Sequence, residues 1–163
     1  MASIMQGTTP SVTITIDLND FQLGSVRMKC CLAFALSIIL TGGIIPEPVM
    51  RLYSQKGGEV IVMDRSIDEL ARRSGHDLSD VRGLYFWHSK KIYIRHGEDD
   101  ERVLAHEIGH FLFHETRPSW SAEDRAFFTD DEVFARAYEE HYTFSTVSPS
   151  INRIEAAAGR LIE

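Results

Sequence analysis

Apolar residues recur along this chain with two periods, and each change of period marks an element. Val12-Thr13-Ile14-Thr15-Ile16-Asp17 alternates and is β-branched, which predicts a half-buried strand ended by Asn19-Asp20. Residues 30–40, CCLAFALSIIL, are the most apolar run. The run is shorter than the roughly 20 residues that span a bilayer, so it predicts a buried core helix. Met28-Lys29 before it and Thr41-Gly42-Gly43 after it also resemble a signal peptide read from an internal start.

Pro46 and Pro48 then suit a helix start and Gly57-Gly58 a helix end, predicting a helix over 47–56 with Val49, Leu52 and Tyr53 inward. Glu59-Val60-Ile61-Val62-Met63 reads as a buried strand. Ser66 with Glu69 three residues on is a capping box for a helix through about Arg73. Residues 84–87 and 91–95 predict an antiparallel hairpin. If Lys91–Arg95 is the sheet edge, it can pair with an extended peptide. The acidic patch Glu98-Asp99-Asp100-Glu101 suits the positive end of the next helix, which carries Leu104, Ile108, Phe111 and Leu112 on one stripe and stops before Pro118. Residues 117–129 read as a connection. A helix follows over about 130–145, with Thr129 as its N-cap and Val133, Phe134, Ala137, Tyr138 and His141 on one face. A last helix is expected from Pro149, with Ile151, Ile154, Ala158 and Leu161 set to pack on the domain or on another chain.

The chemistry lies in the helix before Pro118, which contains His106-Glu107-Ile108-Gly109-His110. Histidines four apart stand one above the other on a helix and can hold a zinc ion from one side. Glu107 between them is placed to take a proton from a water. Gly109 inside a helix costs about 1 kcal/mol relative to alanine, which predicts another backbone packed against it. His114, one turn further, reads as a helix-end histidine at the negative dipole end.

Composition narrows the picture. One domain with a real core fits 163 residues. A net charge of −7 argues against nucleic acid as the main partner and favours neutral or cationic substrates. The neighbouring Cys30 and Cys31 form neither a disulfide framework nor a metal pair. The protein is expected to be soluble, cytoplasmic or exported, with a membrane role disfavoured, and the sequence assigns no oligomeric state.

A catalytic zinc takes three protein ligands. The downstream carboxylates are Glu123, Asp124, Asp130, Asp131, Glu132, Glu139 and Glu140. Glu132, in the first turn of its helix, is best placed to point past the helix end, with Glu139 next. Thr129-x-x-Glu132 also reads as a capping box, which would occupy that same side chain.

The segment Asp131-Glu132-Val133-Phe134-Ala135-Arg136-Ala137-Tyr138 resembles the E-x-F-A-x-A-[FY] segment of the anthrax lethal factor-like metallopeptidases. The hairpin strands Gly83–Phe86 and Lys91–Ile94, leading into Val103-Leu104-Ala105-His106-Glu107, are similar to the same family's approach to its zinc helix. The resemblance covers about residues 45–145. It implies an α+β, zincin-like domain, with a short antiparallel-containing sheet packed on the histidine helix and on a glutamate-bearing helix. It implies a zinc endopeptidase of gluzincin type, toxin-like, acting on a protein or peptide. His106, His110 and Glu132 would hold Zn2+, and Glu107 would be the catalytic base. The family's intermediate-stabilising tyrosine, about seven residues before the glutamate, is Arg125 here. Arg125, Tyr138 and Tyr142 are the candidates for that role, beside His141 and Tyr85. Residues 1–44 then form an N-terminal extension, 45–146 the peptidase domain and 147–163 a C-terminal tail. HEIGHFLFH is also similar to ImmA/IrrE-type regulatory proteases, and a non-catalytic zinc-binding interaction module is the alternative of a different class.

Overall fold

The computed structural model describes residues 14–16, 45–63, 66–73, 81–95, 100–144 and 148–162. The expected apolar helix at 30–40, the signal-like segment at Met28 and the Cys30-Cys31 pair lie outside the described residues. The fold is mixed α/β, compatible with the expected α+β class. Among the described residues no helix is long and apolar enough to cross a membrane.

Strand β1 (Ile14–Ile16) falls within the predicted alternating run and pairs parallel with β2 (Glu59–Met63). Helix α1 (Glu47–Gln55) lies between them in the chain, buries Val49, Leu52 and Tyr53, and ends where Gly57 turns into positive φ at 78°. The Tyr53 hydroxyl sits 2.7 Å from both the Glu59 and Lys90 carbonyls, pinning α1 to the sheet. β2 is a continuous apolar strand because it is interior: Val60, Ile61 and Val62 are all buried. After α2 (Ser66–Arg73), β3 (Gly83–Phe86) and β4 (Lys91–Arg95) form the antiparallel hairpin, with Lys90 in the left-handed region of its turn.

The strand order is β1-β2-β4-β3, with β2 and β4 parallel and in register Val60↔Ile92. β4 is therefore interior, flanked by β2 and β3, and not the sheet edge on which a peptide-pairing role depended. Its alternation buries Ile92 and Ile94. Within the described sheet, β3 is the edge on that side.

Helix α3 (Asp100–Thr116) packs on β3 and β4 with one face and on α5 (Asp131–Thr143) with another. A Cβ on Gly109 would come within 2.7 Å of the Ala135 Cα, so the two helix backbones touch there, as the glycine predicted. Thr116 ends α3. Its hydroxyl donates to the Leu112 carbonyl and accepts from Trp120 Nε1, each at 2.7 Å, and Pro118 lies in the single 3-10 turn that follows. The expected plain connection contains a short helix, α4 (Ala122–Phe127), because Ser121 caps it by accepting from the Asp124 N–H.

Helix α6 (Pro149–Arg160) buries Ile151, Ile154, Ala157 and Ala158 and packs on α1 and α3. Ile151, Ile154 and Ala158 share one core cluster with Val49, Leu52, Ile92, Phe111 and Phe134. Leu161, expected to pack with them, is exposed. Arg153 of α6 bonds Asp124 of α4 at 2.6 Å, closing the helices on one another.

Candidate metal centre

Helix α3 presents Val103, His106, His110 and His114 in steps of three or four, so they form one row. Helix α5 lies alongside, and its first turn delivers Glu132 to that row. The expected Thr129 cap does not form. Asp130 is the N-cap, and its Oδ1 accepts from the Val133 N–H at 2.9 Å. Glu132 is thereby released from capping. Its Oε2 stands 3.7 Å from His106 Nε2 and 3.5 Å from His110 Nε2, and its Oε1 accepts from Arg136 Nε at 2.8 Å. The two Nε2 atoms are 3.2 Å apart.

These three spacings can be tested against a metal. A tetrahedral zinc site with bonds of about 2.0–2.1 Å has donor–donor edges of ~3.3 Å. The observed edges of 3.2, 3.5 and 3.7 Å bracket that value. The donor chemistry agrees. His106 Nδ1 lies 3.0 Å from Glu139 Oε2. A carboxylate only accepts, so Nδ1 carries the proton and Nε2 offers a lone pair to the centre. Asp131 Oδ2 stands 3.4 Å from His110 Nδ1, a carboxylate beside the second ring. Burial, and next the adjacent His106, hold the His110 ring below its ordinary pKa, which favours the neutral, ligating form. Two lone pairs and a carboxylate oxygen thus converge, and the group could hold a metal ion.

Glu107 lies behind this centre and is only 5 % exposed. Burial pushes its carboxyl up to about 8, with the charges of Glu132 and Glu139 adding to the effect, while the Tyr85 backbone N–H donates to it and acts the other way. Gly83 makes room for it: a Cβ there would lie 2.5 Å from Glu107 Oε1. The start of edge strand β3 therefore rests directly on the candidate base. A cavity of ≈ 360 Å³ opens at this point, lined by Arg82, Gly83, Arg102, Val103, His106, Glu107 and Glu139.

The remaining candidates are placed elsewhere. Tyr138 is fully buried, and its hydroxyl donates to Glu155 Oε1 of α6 at 2.9 Å. The Tyr142 hydroxyl donates to the same oxygen. Neither joins the His106–His110–Glu132 group. His141 accepts from the Ser148 N–H, and the Tyr85 hydroxyl is buried against the core with no hydrogen-bond partner. Arg125 lies on α4 and lines a different hollow together with His114. Among the other downstream carboxylates, Asp124 is engaged by Arg153 and Ser121, and Asp130 by its cap.

Sequence reasoning missed the supporting roles of Glu139 and Asp131. Glu139 follows Glu132 by seven residues, two helical turns, so the spacing puts both on one face. Arg102 pairs with Glu139 and completes a chain from arginine to carboxylate to imidazole. No family model matches the chain, and no curated protein matches it.

Proposed function

We propose that this chain is a zinc-dependent endopeptidase of gluzincin type with a zincin-like architecture. The reading is carried by the convergence of His106 Nε2, His110 Nε2 and Glu132 Oε2, with the buried Glu107 carboxylate behind them. These three side chains would hold the ion. When bound, zinc would polarise the scissile carbonyl and make a water acidic near pH 7. Glu107 accepts a proton from the attacking water as its oxygen adds to the carbonyl carbon. It then delivers that proton to the leaving amine as the C–N bond breaks.

The substrate is a protein or peptide in extended form. Its main chain pairs with β3, the described edge nearest Glu107, and not with the interior β4. Glu139 and Asp131 hold the two imidazoles in their ligating orientation.

Glu107→Gln tests the reading. The variant should bind one zinc per chain like the wild type, yet lose about 10²–10⁴-fold in cleavage of a mixed peptide library. Undiminished cleavage by Glu107→Gln would exclude the mechanism. A wild-type protein that binds zinc and cuts nothing would leave the interaction-module reading. Cleavage confined to a repressor protein would favour the ImmA/IrrE-type alternative.

A further inference from the structure

The row on α3 does not stop at the metal group. His114 stands one turn beyond His110, a rise of about 5.4 Å. Asp131 Oδ2 links the two rings, at 3.4 Å from His110 Nδ1 and 3.5 Å from His114 Nε2. Beyond His114 lies a second cavity, of ≈ 330 Å³, lined by Phe113, His114, Arg117, Pro118 and Arg125. Trp87, at the end of the hairpin, is half exposed and stacks on His114 with ring centroids 6.0 Å apart.

Among the described residues, the two arginines of this cavity meet no carboxylate. The Arg117 guanidinium lies over the Phe113 ring at 4.9 Å, and its Nε is buried with no hydrogen-bond partner. Arg125 Nη1 reaches only the Pro118 carbonyl, at 3.5 Å. Neither arginine forms an ion pair among the described residues. By contrast, Arg51, Arg72, Arg73, Arg102, Arg136 and Arg153 each meet a carboxylate. Two unpaired guanidinium groups around one hollow are unexpected in a chain of net charge −7. A buried guanidinium N–H left unmade is costly, and a carboxylate is the partner that satisfies it in two-pronged fashion.

We propose that this cavity is a subsite for a carboxylate of the peptide substrate, one helical turn from the metal group. The proposal rests on the peptidase reading and gives it a substrate class. It reverses the expectation, drawn from net charge alone, of neutral or cationic substrates: two arginines, Arg117 and Arg125, line this hollow in an acidic protein. The carboxylate belongs either to an Asp or Glu side chain or to the peptide's C-terminus.

The test is digestion of a mixed-sequence peptide library by the zinc-loaded protein and by Arg125→Glu and Arg125→Gln, read by mass spectrometry. Arg125 is exposed on its short helix, so both variants should fold, which circular dichroism checks. The wild type should cut with Asp or Glu enriched at one fixed position from the scissile bond. If the C-terminal carboxylate is the source, cuts instead fall at a fixed distance from the end, and amidation abolishes them. On a single preferred peptide, Arg125→Gln should raise KM about tenfold with kcat kept, and Arg125→Glu should turn the preference toward Lys and Arg. Binding of that peptide to metal-free Glu107→Gln protein should weaken about tenfold when its carboxylate is replaced by an amide. Cleavage without acidic or terminal preference, or a preference unchanged by Arg125→Glu, overturns the subsite and leaves the peptidase standing. A fall in kcat alike for every peptide overturns it too, and moves Arg125 to the reacting atoms. No cleavage of any library peptide removes the peptidase reading and the subsite with it.

Discussion

Helix α5 separates two groups of carboxylates that share one scaffold and are treated in opposite ways. Toward α3, the carboxylates of Glu107, Asp131, Glu132 and Glu139 gather around His106 and His110. Toward α6, Glu155 receives the hydroxyls of both Tyr138 and Tyr142, and beyond it Asp124 is bonded by Arg153 and Ser121. The second group is closed: the side chains that meet Glu155 and Asp124 are hydroxyl and guanidinium donors. The first is over-supplied with acceptors. Its arginines, Arg102 and Arg136, sit at the rim on Glu139 and Glu132, while in the middle two imidazole Nε2 atoms and a carboxylate oxygen converge with no donor between them among the described residues. A folded chain has no stability reason to assemble acceptors without donors. The proposed zinc ion would supply the missing positive charge.

The comparison is broken most directly by exchanging a residue from each side. Glu132→Ala should abolish stoichiometric zinc binding. The wild type should gain about 4 kcal/mol of stability at zinc concentrations a thousandfold above Kd. For a domain of this size that is a rise in Tm on the order of 10 °C, removed by a chelator. Tyr142→Phe should do the reverse. It should cost about 1 kcal/mol at any zinc concentration and leave zinc affinity unchanged. Thermal scans with and without zinc, beside metal analysis, measure both. A Tm that ignores zinc in the wild type would remove the distinction.

Much of the α3 side was legible in the sequence because its signals are local. The histidine spacing is a property of one helix, and Gly109 announced a close helix contact that Ala135 supplies. The hairpin was legible from its turn, the aromatic Tyr85 and Phe86 of one strand and the β-branched Ile92 and Ile94 of the other. Three features were not. The parallel pairing of β2 with β4 joins segments separated by α2 and the start of the hairpin, and no local pattern shows that β4 is interior. The true cap of α5 is Asp130 and not its neighbour Thr129; both are good capping residues, and a one-residue choice decides whether Glu132 is occupied or free. The turning of Tyr138 and Tyr142 toward Glu155 depends on the docking of α6, which the pattern of Ile151, Ile154 and Ala158 allowed on this chain or on another.

A smaller effect sharpens the metal side from within. Glu139 does not contact the centre directly; it acts through His106 Nδ1. Glu139→Gln keeps the size of the side chain and removes the charge that fixes the tautomer. Zinc affinity should fall about 10–100-fold with stoichiometry kept, as for other carboxylates hydrogen-bonded to a ligating imidazole. Competition against a chromophoric chelator reads this directly. An unchanged affinity would reduce Glu139 to a partner of Arg102 alone.

The smallest expected effect lies on the closed side, and its sign follows from linkage. The Arg153 guanidinium, with hydrogen bonds from Ser121 and Ser150 adding, holds the Asp124 carboxyl below its ordinary value despite burial. A depressed folded pKa means that the pair stabilises the protein above the unfolded pKa of about 3.9, and that this is lost as pH falls through the lower, folded value. The Arg153 side chain is half exposed at 51 %, so solvent screening limits the contribution to about 1 kcal/mol. Asp124→Asn should therefore lower stability by about that amount at pH 7, and the difference from wild type should fade below pH ~4. Denaturant titrations at a series of pH values measure it. A difference that persists at pH ~2 would show that Asp124 stabilises α4 by its cap and packing and not by charge. Zinc affinity should be the same in both proteins, since Asp124 is held by Arg153 and Ser121 and does not join the His106–His110–Glu132 group.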